Sequence, residues 1–272
     1  MRKNLVDKFA GTTAGRMEDL DDGHMKVLKI FSKRDFYRIL DIGHGDGNFS
    51  VLLRKVSNAR EIYGVDCSPE AVRSAAKKGI RSFLVNIDEQ NLPLKSNYFD
   101  AIFAGYVIEH LFNPDQLLDE IYRVLKPGGL FILATPNLSS LYNRIALLIG
   151  FQPFSTAVSL RHDVGHMIKF YTTLSSSDHI KVFTYRSIIE LLKIHQFDII
   201  QTIGVKIPVG PLSLAKMSDK IRLKSFIEFV DRVLAQFPSL SYAVIVCCRK
   251  HHVRHLHPSR NASARQGVAK LV

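Results

Sequence analysis

Short apolar segments alternate with helical patterns through the first half of the chain, and few folds accommodate that alternation. Five segments are typical of strands: YRILDI, EIYGV, RSFLVNI, YFDAIFAGYV and LFILAT. The helical patterns among them are FSVLLRKV, PEAVRSAAKK and PDQLLDEIYRVL. Strands that are joined through helices run parallel, and the helices cover the sheet. We therefore predict an α/β fold with a mostly parallel, doubly wound sheet and helices on both faces.

The predicted helices carry clear end signals. Ser68 is suited to cap the second helix, and Pro69 suits its first turn. Asn113 is followed by a proline in the same way before the third helix. A Pro-Gly-Gly turn over residues 127–129 is expected to end that helix. The next segment, LFILAT, is apolar throughout, which is typical of a strand covered on both faces.

After Thr135 the alternation is interrupted. Residues 136–178 form an insertion, after which the helical pattern TYRSIIELLKIHQ and the strand pattern FDIIQTIGV follow. Residues 206–240 contain a further helical stretch ahead of a last strand, SYAVIVCC. We predict one seven-stranded domain over residues 1–250, in which 136–178 and 206–240 are helical insertions that form a substrate lid. Residues 251–272 are predicted to be a basic, disordered tail.

The segment ILDIGHGDGNF places a glycine at every second position directly after the first strand. Gly43, Gly45 and Gly47 indicate a backbone that turns sharply and that a ligand can approach closely. In such sheets ligands bind beyond the carboxyl ends of the strands, near the point where the strand order reverses. The dinucleotide fingerprint requires a third glycine where this chain has Asn48, so a nicotinamide dehydrogenase is the weaker alternative.

Four spaced motifs between residues 39 and 137 resemble those of class I S-adenosylmethionine-dependent methyltransferases of type 11. In chain order they are DIGHGDG, YGVDCSPEAV, NIDEQNLPLKSNYFDAIFAGYVIEHL and EIYRVLKPGGLFILATPN. The resemblance implies a Rossmann-like sheet and S-adenosylmethionine as the cofactor. His44 departs from the family, which more often has a small residue or cysteine there, and we expect its side chain to point outward.

The resemblance also implies which residues contact the cofactor. Asp66 would accept hydrogen bonds from both ribose hydroxyls, and Asp88 would accept one from the adenine amino group while Ile87 packs on the ring. Asp41 would attract the methionyl ammonium, and Tyr106 would lie where the chain passes the sulfonium. The full predicted cofactor-binding set is Asp41, Gly43, His44, Gly45, Gly47, Asp66, Cys67, Ile87, Asp88 and Tyr106.

Each of these side chains has a structural alternative. Asp41 and Asp66 could cap strand ends, and Asp88 could be an ordinary loop acid. Tyr106 could be part of the core or of a pocket wall.

Methyl transfer from a sulfonium depends above all on alignment, but an oxygen or nitrogen acceptor can also need a base. Glu109 and His110 follow the fourth strand on the predicted substrate side and are the candidate catalytic residues. Packing is the alternative role for His110, as it is for His166 and His179 beside the insertion. A metal pair formed by Glu109 and His110 is less favoured, so we predict no metal site.

The net charge of +12 arises largely at the end of the chain. Seven Lys and Arg residues follow Asp231, and no acidic residue does. This tail could add weak attraction to an anionic membrane surface, and its four histidines, at 251, 252, 255 and 257, are expected to be solvated.

Nucleic acid is disfavoured as a substrate. No basic stripe with interleaved aromatic residues appears in the body. The Pro-Cys dipeptide of the family members that methylate cytosine carbon is absent, and residues 104–107 read AGYV, without the Pro-Pro-aromatic motif of those that methylate base amino groups.

The cysteine pattern suggests a cytoplasmic protein. Cys67, Cys247 and Cys248 form no Cys-x-x-Cys pair, so neither a disulfide framework nor a zinc site is predicted from them. The first residues contain no long apolar stretch, and no segment reaches the roughly 18 apolar residues of a membrane span. We expect no signal peptide.

Within the first insertion, Leu141, Ile145, Leu148 and Ile149 fall near one face of a predicted helix, with Asn143 and Arg144 off that face. A short helix must bury such a face on the body, on bound substrate or on a membrane surface. Packing against the helices of residues 211–237 is the alternative to a lid. The sequence thus predicts methyl transfer to a small-molecule or lipid-like acceptor, on oxygen. A non-catalytic protein that binds S-adenosylmethionine or a partner through the same fold is the alternative.

Overall fold

Seven strands form one sheet in the order β3-β2-β1-β4-β5-β7-β6. A computed structural model describes residues 20–159, 162, 164–166, 179–207 and 221–251, without the side chains of 221–227. The strands are β1 (Arg38–Ile42), β2 (Glu61–Asp66), β3 (Arg81–Leu84), β4 (Phe99–Gly105), β5 (Leu125–Pro136), β6 (Phe197–Val205) and β7 (Ala243–Lys250). Neighbouring strands are parallel, except that β7 runs antiparallel to both β5 and β6. The predicted fold class, a mostly parallel and doubly wound seven-stranded sheet, is confirmed.

Helices cover both faces of this sheet. They are α1 (Asp22–Phe31), α2 (Asn48–Val56), α3 (Pro69–Lys77), α4 (Pro114–Val124), α5 (Leu141–Leu148), α6 (Tyr185–Ile194) and α7 (Ile221–Leu234), with a 3-10 helix at Ile108–His110. One buried apolar cluster joins the sheet to α1, α2 and α3, and a second joins it to α4 and α6. Among the residues described, no helix is both long and apolar enough to cross a membrane.

The end signals act as expected, with one difference. The Ser68 hydroxyl accepts from the Ala71 amide at 3.2 Å, and the Asn113 side chain accepts from the Gln116 amide at 3.2 Å. Helix α4 already ends at Val124, ahead of the Pro-Gly-Gly turn. That turn lies inside β5, where the pairing with β4 shifts its register. An irregular β5 therefore accommodates the proline and the two glycines.

The insertion after β5 buries a different helix face from the one predicted. Ile145, Leu148 and Ile149 are 44%, 84% and 52% exposed, whereas Asn143 and Ala146 are buried. The Asn143 amide group donates to the Asn137 carbonyl oxygen at 3.1 Å and to the Ser155 hydroxyl at 3.2 Å. Hydrogen bonds therefore orient α5, and the expectation that Asn143 lies off the buried face is wrong.

Several predicted features lie outside the described residues. These are the tail over 252–272 and the segments 167–178 and 208–220, which are parts of the two predicted insertions. The proposal of a lid therefore depends on α5 and on the loop over 149–159.

Asn137 connects three elements at the end of β5. Its amide nitrogen donates to the carbonyl oxygens of Pro238, Ser239 and Ser241 at 3.0–3.3 Å, just ahead of β7. Its amide oxygen accepts from the Tyr185 amide at 3.0 Å, at the start of α6. Because Asn137 is fully buried, water could not take over its hydrogen bonds if the side chain were removed. Its partners would then be left without a hydrogen bond.

We expect Asn137→Ala to lower the free energy of unfolding by about 1–3 kcal/mol, the range for leaving buried polar groups unsatisfied. Chemical denaturation followed by circular dichroism measures the effect, since the chain contains no tryptophan. Asn91→Ala is the matched control, because Asn91 is an exposed amide, and it should change stability by less than about 0.5 kcal/mol. Equal, small effects of both substitutions would contradict the connecting role of Asn137.

Candidate functional site

The site lies at the carboxyl ends of β1 and β4, which are neighbours where the strand order reverses. Gly43 follows β1, and its amide donates to the Val65 carbonyl oxygen of β2 at 2.8 Å. A β-carbon on Gly43 would come within 2.4 Å of the Val107 side chain, just after β4. The loop after β1 and the residues after β4 are thus in direct contact, at the position where such sheets bind ligands.

The three glycines of the loop all have left-handed backbones, with φ of 70°, 56° and 81° at Gly43, Gly45 and Gly47. Their surroundings differ. A β-carbon on Gly47 would come within 3.0 Å of Ala75 and Ile80, so protein packing excludes a side chain there. A β-carbon on Gly45 would meet nothing within 4 Å. Gly45 is therefore the loop position whose backbone faces open space, and a ligand can approach it.

Asp66, the last residue of β2, fixes this loop. One carboxylate oxygen accepts from the Gly45 amide at 2.9 Å, and the other accepts from the Ser68 amide at 2.9 Å. Each carboxylate oxygen has two lone pairs. Asp66 is partly exposed, so it can accept two further hydrogen bonds from a ligand, such as those of a ribose diol.

Asp41 is buried at the end of β1, with an exposed fraction of 2%. The Ser50 hydroxyl of α2 donates to its carboxyl group at 2.5 Å. Burial raises the pKa of Asp41 to about 7, although the Ser50 hydroxyl and His24 favour the charged form. Because the Asp41 carboxyl group is buried, it can affect the glycine loop only through neighbouring residues. Its direct contact with a methionyl ammonium stays a prediction.

The expectation that the His44 side chain points outward is wrong. The ring is 5% exposed and lies on Gly64 of β2, where a β-carbon would come within 2.2 Å of it. Its two nitrogens lie 2.5 Å from the Ser82 hydroxyl and 2.7 Å from the Gly45 carbonyl oxygen. A glycine on β2 makes room for the ring, so His44 can contribute to a ligand site only through its backbone.

The residues after β3 have partners within the protein. Ile87 is buried in the core. The Asp88 carboxylate accepts from the Phe112 and Asn113 amides at 3.2 and 2.9 Å, and so orders the start of α4. This supports a structural role for Asp88, and its contact with adenine stays a prediction. Cys67 is exposed beside Asp66.

Tyr106 has a left-handed backbone with φ of 56°, a conformation that non-glycine residues seldom adopt. Its amide donates to the Ala134 carbonyl oxygen at 2.8 Å, which holds the turn after β4. A β-carbon on Gly23 would come within 3.0 Å of the Tyr106 hydroxyl, so the ring reaches α1. Burial raises its pKa well above the usual value, and the negative charge of Asp21 adds to this. Strained backbones of this kind concentrate at functional sites.

Glu109 and His110, the candidate catalytic residues, lie in the 3-10 helix after β4, and His179 joins them. Their possible ligand atoms all lie within 4.8 Å of one another. The His110 and His179 rings contact edge to face at 4.9 Å. His166 instead lies against the carbonyl oxygens of Pro153 and Thr156. The approach of His179 could not be predicted from local patterns, because His179 lies about 70 residues further along the chain.

The described residues fit an adenosyl cofactor with an amino-acid end. Gly45 leaves room for close backbone approach, and the amide-rich loop leads into the N-terminus of α2, which favours a carboxylate. Asp66 has acceptor capacity for a diol.

Residues 40–133 match the family of methyltransferase domains. The mitochondrial arginine-hydroxylase NDUFAF5 of Mus musculus is 29% identical over 171 residues, which cover 59% of this chain and 49% of that protein. The malonyl-(acyl-carrier protein) O-methyltransferase of Enterobacter lignolyticus is 30% identical over 108 residues, 40% of this chain and 42% of that protein. The chain thus spans about half the length of these curated relatives or less.

Solved structures share the fold. A SAM-dependent methyltransferase from Aquifex aeolicus superposes with a TM-score of 0.51 at 18% identity, covering 91% of this chain and 97% of that one. At this identity the likeness concerns the fold alone.

The raised pKa of Asp41 predicts a specific pH dependence of stability. The folded-state pKa of about 7 exceeds the unfolded value of 3.8, so the stability that the neutral carboxyl contributes is complete below about pH 4 and lost as the pH rises through 7. We expect Asp41→Asn, which keeps an acceptor for Ser50, to remove this loss. The free energy of unfolding of the wild type relative to the variant should fall by up to about 1.4 kcal/mol per pH unit between these limits.

Denaturant titrations at pH 4.5 to 8.5 measure this difference. Glu190→Gln, at an exposed position on α6, is the control and should follow the wild type. Parallel curves for the wild type and Asp41→Asn would show that Asp41 is not a buried acid with a raised pKa.

Proposed function

We propose that the chain, whose residues 40–133 match methyltransferase domains, is a class I S-adenosylmethionine-dependent methyltransferase that transfers the methyl group to an oxygen of a small-molecule or lipid-like acceptor. S-adenosylmethionine is the cofactor of this family, and it supplies an electrophilic methyl group on a good leaving group. The observation that carries the proposal is the pairing of the open Gly45 backbone with the Asp66 carboxylate, at the point where the strand order reverses.

The residues have distinct roles in this proposal. Asp66 accepts from the ribose hydroxyls, and the N-terminus of α2 binds the methionyl carboxylate, for which Gly45 leaves room. Ile87 and Asp88 contact the adenine. Tyr106 forms the wall nearest the reacting centre. With the leaving group already good, these contacts serve mainly to hold the acceptor at a near-attack distance.

Glu109 and His110 are proposed to act on the acceptor. An acceptor hydroxyl must lose its proton during methyl transfer, and an imidazole is suited to accept it near neutral pH. The buried Glu109 carboxylate, which accepts from the Thr135 hydroxyl at 3.0 Å, lies beside the imidazoles of His110 and His179. Oxygen as the acceptor atom is also in keeping with the O-methyltransferase among the relatives.

A lipid-like acceptor is favoured by the surface of the insertion. Ile145, Leu148 and Ile149 expose an apolar row on and after α5, and Leu147 and Phe151 are also exposed. Monomeric proteins seldom expose contiguous apolar surface without a function. In this proposal the row contacts the apolar part of the acceptor and keeps water from the reacting centre.

The alternative is a non-catalytic protein that binds S-adenosylmethionine or a partner through the same fold. The complete set of Asp41, the three loop glycines and Asp66 argues against a degenerate site. Methyl transfer from labelled S-adenosylmethionine decides between the two.

We expect the wild type to bind S-adenosylmethionine with micromolar affinity, about −7 to −8 kcal/mol, in isothermal titration calorimetry. Asp66→Ala should weaken binding by about 2–3 kcal/mol, or roughly 30- to 150-fold, because the ribose hydroxyls lose a charged acceptor. Asp198→Ala, on the opposite edge strand β6, is the control and should bind like the wild type. NAD should not bind measurably.

A folded Asp66→Ala protein with wild-type affinity would show that Asp66 is not the ribose ligand. Tight NAD binding without a response to S-adenosylmethionine would overturn the assignment of the cofactor.

Replacing Ile145 and Leu148 together with Ser should lower methyl transfer into a total lipid extract by at least about tenfold, since the apolar acceptor loses its contact surface. Because both side chains are exposed, cofactor affinity and thermal stability should hardly change. Ile194→Ser, an exposed apolar residue at the end of α6, is the control. Unchanged transfer would rule out the lid, and an equal loss of stability would indicate ordinary packing.

A further inference from the structure

Three side chains with metal-binding atoms converge at the end of β4. The Glu109 carboxylate and the imidazoles of His110 and His179 have their possible ligand atoms within 4.8 Å of one another. Glu109 is fully buried, and both histidines are partly buried. Two imidazoles and one carboxylate form the ligand set of many catalytic zinc sites.

The backbone brings these residues together. The Glu109 carbonyl oxygen accepts from the Ile180 and Lys181 amides at 2.8 and 3.0 Å, so the segment that carries His179 is bound to the 3-10 helix. The Thr135 hydroxyl of β5 donates to the Glu109 carboxylate at 3.0 Å. The backbone of the folded chain therefore brings the segments that carry these three side chains next to each other.

The hydrogen bond of His179 defines its tautomer. Its Nδ1 lies 2.9 Å from the Ser155 carbonyl oxygen, which can only accept, so Nδ1 carries the proton. In the neutral ring Nε2 then keeps its lone pair, as a metal ligand must. Metal-binding histidines almost always donate their other N–H to a carbonyl or carboxylate in this way.

Ser155 is itself held in place, since its hydroxyl accepts from the Asn143 side chain at 3.2 Å. Asn143 lies on the buried face of α5. The position of His179 is thus linked to the insertion by hydrogen bonds.

We propose that Glu109, His110 and His179 bind one divalent transition-metal ion of the zinc type. The donor set suits zinc better than magnesium, which prefers oxygen ligands and octahedral geometry. Ligand atoms around a tetrahedral zinc lie about 3.3 Å apart, given bonds of about 2.0 Å, so small side-chain rotations close the site. A bound dication also offsets the cost of burying the Glu109 charge. This departs from the sequence prediction, which contained no metal site.

Three protein ligands leave a coordination position for another molecule. An acceptor hydroxyl bound there would release its proton to solvent more readily, because a metal ion lowers the pKa of a bound oxygen. In the metal-bound protein His110 would thus be a ligand, and the metal would replace the imidazole in activating the hydroxyl. This use of the metal rests on the proposed function, whereas the binding itself does not.

The test uses full-length protein that is freed of metal with a chelator and then titrated with Co²⁺, whose visible absorption reports ligand geometry. We expect one equivalent of Co²⁺ to bind, with the visible absorption bands of a Co²⁺ ion of low coordination number. Zn²⁺ should displace the bound Co²⁺, whereas excess Mg²⁺ should not. His179→Ala and Glu109→Gln should each weaken Co²⁺ binding by more than about tenfold, the loss seen even for outer-shell partners.

Two controls address other histidines. His195→Ala removes a ring whose nitrogens lie against two different carboxylates, Asp115 and Asp119, and should bind Co²⁺ like the wild type. Replacing the four tail histidines, at 251, 252, 255 and 257, with Ala should also preserve the single equivalent. Cofactor titration checks that each variant is folded.

The proposal would be overturned if the wild type bound no stoichiometric Co²⁺, or if Co²⁺ binding disappeared when the tail histidines were replaced. It would also be overturned if His179→Ala bound Co²⁺ as the wild type does. In that case the three side chains form a hydrogen-bonded cluster only, and methyl transfer should survive chelation. Conversely, stoichiometric metal binding without methyl transfer to any acceptor would refute the proposed function and leave the metal site standing.

Discussion

The contact between the Gly43 backbone and the Val107 side chain is the constraint on which the site depends. With no room for a β-carbon at Gly43, the loop after β1 turns directly against the residues that follow β4. The turn leaves Gly45 open and brings its amide to Asp66 on β2. The glycine loop, Asp66 and the candidate catalytic residues thus lie together at the carboxyl edge of the sheet.

Much of the fold follows from local patterns in the sequence. The strand segments, the caps at Ser68 and Asn113, and the mostly parallel sheet agree with the structure because apolar period and end signals are local properties. Helix α5 shows the limit of that approach. Its apolar residues suggested a buried face, yet the bonds of Asn143 to Asn137 and Ser155 decide its orientation. These partners become neighbours only once the chain has folded.

The candidate site shows the same difference between features set by local sequence and features set by long-range contacts. The glycine loop and Asp66 were identifiable because their geometry depends on glycine and on a strand end. The place of His44 was not, since it depends on Gly64 in the neighbouring strand. Nor was the approach of His179 to Glu109, which follows from hydrogen bonds between distant segments. Ser50, whose hydroxyl bonds Asp41, gave no separate signal within the helix pattern.

The antiparallel strand β7 lies between β5 and β6, although it comes after both in the chain. During synthesis, β1 to β5 can add to the sheet as they leave the ribosome, because each finds a neighbour already made. Strand β6 cannot, since it pairs only with β7. Because translation adds about 5–20 residues per second, β6 leaves the ribosome a few seconds before β7. Both edges of β6 stay unpaired during that interval. A nascent chain paused in this interval would be a natural substrate for chaperones.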